Sequence, residues 1–215
     1  MLSEEELEIL AKVDACLGRW RSPRAERSPF FIGIGGGSAS GKTTLAQQMA
    51  DLLAPLRVVV IHQDRFFKPN EEKPRYFSKI HRQERPDYNR PDSFRVEEMV
   101  VFCRETKEAD IVILEGILTL HFAELRDLMD LKVFVHADAD ERIIRRIRRN
   151  LSRSSFDDIV HYYLESVRYR HREFCEPTRS FSDVVMEGGM ASDEERVRIV
   201  QEICRRVKGL FKTNR

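Results

Sequence analysis

The run Gly36-Gly37-Ser38-Ala39-Ser40-Gly41-Lys42-Thr43 leaves this chain few ways to fold around it. A glycine, four residues and then Gly-Lys-Thr is the Walker A spacing of a phosphate-binding loop. Glycines let the backbone wrap tightly and turn its N–H groups inward onto phosphate oxygens. Lys42 reaches the β- and γ-phosphates as a point charge, and the Thr43 hydroxyl is placed to ligate Mg²⁺. The flanks agree with the loop. Residues 30–34, Phe-Phe-Ile-Gly-Ile, read as a buried parallel strand. Residues 44–53 place Leu45, Met49, Leu52 and Leu53 on one helical face. A phosphate in this loop therefore meets a helix N-terminus, where the dipole favours negative charge.

The rest of the chain repeats this alternation. Ser3-Glu4-Glu5-Glu6 is a capping box, followed by Leu7, Leu10, Val13 and Leu17 at helical intervals. Residues 1–28 thus form a helix and a polar connector, and the helix packs either on the core or on a second subunit of a homo-oligomer. Further strands are expected at residues 57–62, 109–116, 131–136 and 183–186, with helices at 96–104, 140–150, 157–174 and 193–208. Residues 63–95 are polar and carry Pro69, Pro74, Pro86 and Pro91, so they cannot be regular throughout. Strands alternating with helices predict an α/β domain over 29–215, a parallel sheet with helices on both faces.

Composition narrows the partners. A net charge of +1, with 34% of residues charged, gives nucleic acid no bulk electrostatic handle. Cys16, Cys103, Cys175 and Cys204 are widely spaced, as expected of free thiols in a reducing cytoplasm. No apolar run has transmembrane length, and Glu4, Glu5 and Glu6 stand where a secretory signal would be basic. The expectation is a soluble cytoplasmic protein with no membrane partner.

In a doubly wound sheet, ligands gather outside the carboxyl ends of the strands. Asp64 follows the second strand, placed to take the proton of an attacking hydroxyl. Glu115 ends the third, where a carboxylate holds Mg²⁺ directly or through water. In the basic helix Arg142, Arg146 and Arg149 share one face. Arg146, Arg149 and Arg153 are the candidates for a lid over the phosphates; the other arginines read as a solvated, salt-bridged surface.

At this point the chain resembles the uridine kinase and phosphoribulokinase branch of the P-loop kinases. The resemblance runs through Gly36 to Thr44, Gln63-Asp64-Arg65-Phe66-Phe67, Arg90-Pro91-Asp92-Ser93-Phe94 and Glu115-Gly116-Ile117-Leu118. It continues in residues 125–135, Asp138-Ala139-Asp140 and Phe174-Cys175-Glu176-Pro177-Thr178. It implies a P-loop NTPase fold, a three-layer α/β/α sandwich with a five-stranded parallel sheet and a short helical lid around 146–157. It further implies ATP- or GTP-dependent phosphorylation of a hydroxyl on a small molecule, typically the 5′-hydroxyl of a nucleoside. In that frame Gly36 to Thr44, Arg149 and Arg153 bind ATP. Asp64, Lys42, Arg146 and Arg149 are catalytic, and Asp64, Phe67, Tyr88, Asn89 and Arg146 face the acceptor. Thr43 and Glu115 surround Mg²⁺.

The departures lie on the acceptor side. Uridine kinases usually carry Asp where this chain has Asn89, which brings no charge and adds a donor. They also insert a pyrimidine-contacting hairpin before the third strand, and residues 95–108 hold neither Tyr nor His. Nicotinamide riboside kinases share the string matched by residues 63–69. Other acceptors therefore stay open: nicotinamide riboside, a pantothenate-like acid, or a sugar phosphate held by Arg75, Lys79, His81, Arg82 and Arg85. A nucleotide-binding regulatory module that hydrolyses ATP slowly is the reading from another class.

Overall fold

The computed structural model describes residues 3–20, 28–188 and 193–212. Residues 21–27 of the connector lie outside them. The capping box forms as written: the Glu6 N–H donates to Ser3 Oγ at 3.1 Å, and the Ser3 N–H to Glu6 Oε2 at 2.7 Å. Helix α1 (Glu4–Trp20) follows. Next come β1 (Phe30–Gly36), α2 (Lys42–Leu53) and β2 (Val58–His62).

Five parallel strands make the central sheet, in the order β2-β5-β1-β6-β7. Here β5 is Ile111–Glu115, β6 is Leu131–His136 and β7 is Val184–Glu187. Both β5 and β6 pair with β1, so the strand order reverses beside the end of β1. That reversal opens a crevice at the carboxyl end of the sheet, and the phosphate-binding loop begins there.

Alternation along the strands sorts their side chains into two cores. Phe30, Ile32, Ile34, Ile111, Ile113, Val133 and Val135 face one layer, with α1, α2 and α8 (Asp193–Lys212). Phe31, Val112, Leu114 and Phe134 face the other, with α3 (Val96–Glu105) and α4 (Ala123–Arg126). The three-layer architecture is the expected one. Leu10, Val13, Cys16 and Leu17 of α1 join Ile203 and Val207 of α8 in the first core. The N-terminal helix therefore packs on its own domain. All four cysteines are free and buried, and burial pushes the Cys103, Cys175 and Cys204 thiols up to about 12.

The polar stretch holds more order than its composition suggests. A hairpin of β3 (Arg75–Ser78) and β4 (Gln83–Pro86) forms a separate two-stranded sheet. Its signal is period-two burial, with Tyr76 and Ser78 in and Arg75 and Phe77 out, masked by the surrounding charges. No hairpin intervenes between α3 and β5.

The basic helix is α5 (Ala139–Asn150). After it, α6 (Phe156–Tyr162), a π-helical turn (Tyr163–Val167), α7 (Arg168–Arg170) and a second π-helical turn (His171–Cys175) run on without a break. The hairpin docks on this element. Ser78 Oγ donates to Glu165 Oε2 at 2.6 Å, and the Tyr76 ring lies 5.8 Å from that of Tyr162. Among the described residues no helix is long and apolar enough to cross a membrane.

Candidate active site

The loop between β1 and α2 has the backbone its glycines predict. Gly36 has φ 138°, and a side chain there would strike the Val135 carbonyl. Gly41 has φ 105°, also in the region open to glycine. Lys42 is buried, and its Nζ donates to the Gly37 carbonyl at 2.8 Å. Burial lowers its pKa, opposed by Glu115, Cys175 and Asp64. Beside it Thr43 Oγ1 donates to Glu115 Oε1 at 3.1 Å, and His62 Nδ1 lies 2.8 Å from the same oxygen. The hydroxyl and carboxylate expected around a metal are thus in contact, at the ends of adjacent elements.

Asp64 sits in a single turn of 3₁₀-helix after β2. Its carboxyl is raised, first by desolvation in the cleft and then by Glu115, against Lys42 and Arg149. Among the described residues no side chain hydrogen-bonds it. The neighbouring Gln63 is fully buried and accepts the Leu118 N–H at 2.9 Å, locking the turn to the loop after β5.

The basic helix delivers its arginines unequally. Arg146 Nη1 donates to Ser38 Oγ at 2.9 Å, and its guanidinium lies 5.4 Å from the Tyr162 ring centre. Burial lowers its pKa. Arg149 is exposed but close enough to act electrostatically on Lys42 and Asp64. Arg153 is exposed, and among the described residues no hydrogen bond joins its side chain to the loop. Arg145 turns away to the Gly188 carbonyl at 2.6 Å.

Across the cleft, Phe67 stacks on Phe94 at 4.4 Å and meets Tyr88 edge-on at 5.5 Å. Lys73 Nζ lies 4.5 Å from the Tyr88 ring centre. Asn89 lines the same cleft as Gly37 and Ser38, with Val167, Arg170, His171 and Cys175 behind.

Several of these residues escape sequence reading. Arg142 is buried against Gly37 and donates from Nε to the Ala137 carbonyl at 3.0 Å; its shared face with Arg146 was the available signal. Asp87 is fully buried and pairs with Arg170 Nε at 2.9 Å, 83 residues away. Tyr162 and His171 lie on a helix whose π-helical turns defeat a simple period.

His171 makes its own prediction. Burial, with Arg142 and Lys42 nearby, pushes its pKa down from 6.5 to about 3. Across that window the unfolded chain binds more protons than the folded one, so stability rises with pH. Replacing His171 by Phe should therefore flatten the fall in urea midpoint between about pH 7 and about pH 5, recovering about 2 kcal/mol at the lower pH. A parallel shift at both pH values would show that the imidazole does not titrate this way.

A nucleotide loop at the switch point of a parallel sheet, with an acid and arginines converging on it, defines a P-loop kinase. A family model described as the phosphoribulokinase / uridine kinase family matches residues 67–194. A protein named uridine kinase from Latilactobacillus sakei is 38% identical, the match covering 76% of this chain and 88% of that one. One of the same name from Bacillus subtilis is 36% identical, covering 76% and 88%. A solved structure of a possible uridine kinase from Bacillus stearothermophilus shares the fold, with TM-score 0.50 at 17% identity, covering 83% of this chain and 99% of that one. The chain belongs to the phosphoribulokinase / uridine kinase family. It is a phosphotransferase that acts on a hydroxyl group.

Proposed function

We propose that the enzyme transfers the γ-phosphoryl group of ATP or GTP to the 5′-hydroxyl of a nucleoside, uridine or cytidine first, inside the cytoplasm. The observation that carries this reading is the place of Asp64, an acid in the turn just past β2 with Lys42, Glu115 and Arg149 close enough to act on it electrostatically. Two relatives at 38% and 36% identity bearing the name uridine kinase favour the acceptor class.

In this reading Gly36 to Thr44 wrap the phosphates, and Lys42 offsets the charge that builds on the transferring group. Asp64 orients the acceptor hydroxyl and takes its proton. Residues 146–157 act as the lid, with Arg146 and Arg149 closing on the phosphates and Arg153 at its outer end. Phe67 and Tyr88 hold the base side of the acceptor, and Asn89 the sugar.

Thr43 and Glu115 fit Mg²⁺. Both present hard oxygens in mutual contact at 3.1 Å, and the ion takes few protein ligands when phosphate and water supply the rest. When bound it would neutralise charge on the phosphate oxygens.

A phosphorylation assay with ATP over uridine, cytidine, nicotinamide riboside, pantothenate and pentose phosphates tests the proposal. Uridine or cytidine should show the highest kcat/KM. Transfer to a sugar phosphate alone would move the assignment to that acceptor, and no transfer to any of them would favour a regulatory module.

A further inference from the structure

Beside the carboxylate of Glu115 stands an imidazole that the proposed chemistry does not use. His62 and Glu115 are register partners, the last residues of the adjacent parallel strands β2 and β5. Neighbours in register share a face of the sheet, so the strand pairing itself sets the imidazole beside the carboxylate. The two differ in exposure: the Glu115 side chain is 9% exposed and that of His62 54%. One oxygen of Glu115 takes both contacts. Oε1 accepts the Thr43 hydroxyl at 3.1 Å, and His62 Nδ1 lies 2.8 Å from it. Among the described residues no hydrogen bond reaches Oε2.

A carboxylate only accepts hydrogen bonds, so the imidazole supplies an N–H at Nδ1 in this pair. With Oε1 held from two sides, the carboxylate loses its freedom to turn about its last bond, and Oε2 is the oxygen left over. We infer that His62 is a positioning residue that fixes the Glu115 carboxylate through Oε1, so that Oε2 is presented to a divalent cation beside Thr43 or to a water on it. This rests on the metal reading of Thr43 and Glu115 above. Partners that orient a ligating side chain are worth about tenfold to a hundredfold in metal affinity. A half-exposed partner belongs at the lower end, because water competes for the same oxygen.

Affinity for a non-hydrolysable ATP analogue, measured by calorimetry with Mg²⁺ and again in EDTA, tests this without turnover. No acceptor is present, so Asp64 does not enter the readout. His62→Ala should weaken binding about tenfold with Mg²⁺ and leave it unchanged in EDTA. The amide nitrogen of an asparagine overlays Nδ1 of a histidine, and that of a glutamine overlays Nε2. His62→Asn should therefore keep wild-type affinity with Mg²⁺, while His62→Gln should behave as His62→Ala does. Adding His62→Ala to Glu115→Ala should weaken binding no further, because the carboxylate that it orients is gone. Equal weakening in both conditions would make His62 merely structural and overturn the inference, as would no weakening in either. So would a glutamine that serves as well as an asparagine, or a His62→Ala effect that persists in full without Glu115. A wild-type affinity that does not respond to Mg²⁺ would remove the metal reading and this one with it, a result distinct from the others.

Discussion

Asp64→Asn is expected to lower kcat about a thousandfold while KM for ATP stays within about twofold. The substitution keeps shape and removes only the ability to take a proton. No side chain among the described residues hydrogen-bonds the Asp64 carboxyl, so little of the fold depends on it. Its position explains the size of the effect. Desolvation by the cleft walls and the nearby Glu115 raise its proton affinity, while Lys42 and Arg149 keep the carboxylate accessible. A base with raised affinity removes a hydroxyl proton more effectively. Single-turnover measurement of transfer to uridine checks this, and an unchanged rate would take Asp64 out of the chemistry.

Lys42→Ala should act on the other half of the reaction. Loss of a buried cation aimed at the phosphates is expected to cost about a hundredfold to a thousandfold in kcat and to weaken ATP binding together with it. Stability should move the other way, or not at all. The Lys42 ammonium is buried, and that burial disfavours its charged form, so the fold is strained by the group it keeps. Urea unfolding of Lys42→Ala beside the wild type separates the two effects. A large drop in midpoint would mean that the lysine mainly holds the loop together.

The proposed donor half of the site is legible in the sequence because its parts are local strings. The glycine spacing, Asp64 after one apolar strand and Glu115 after another each declare themselves within a few residues. Strand order adds only that they meet, with Thr43 and Glu115 in contact across 72 positions. The proposed acceptor half is assembled from distant pieces whose composition looks ordinary. Asn89 is shaped by Tyr162, 73 residues on, and Asp87 by Arg170, 83 residues on. A buried aspartate in a proline-rich polar stretch looks like surface until its partner is known. The β3–β4 hairpin stayed hidden for the same reason: its two buried residues, Tyr76 and Ser78, pack on a helix late in the chain. Arg153, named from its place in a basic run, shows the converse, since a run of like residues does not say which of them turn inward.

The π-helical turns at Tyr163–Val167 and His171–Cys175 decide where this helix tolerates a change in chain length. A π-helical turn holds one residue more than an α-helical turn within the same revolution, whereas one residue removed from a regular α-helix swings everything beyond it by about 100° around the axis. Deleting a single residue from the first π-helical turn would therefore restore a regular helix and leave Arg170 and His171 facing the cleft they line. The same deletion in α6 would rotate them away and break the pair with Asp87. One side of the cleft can thus be kept or re-aimed by where a residue is lost, without changing the identity of any residue in it.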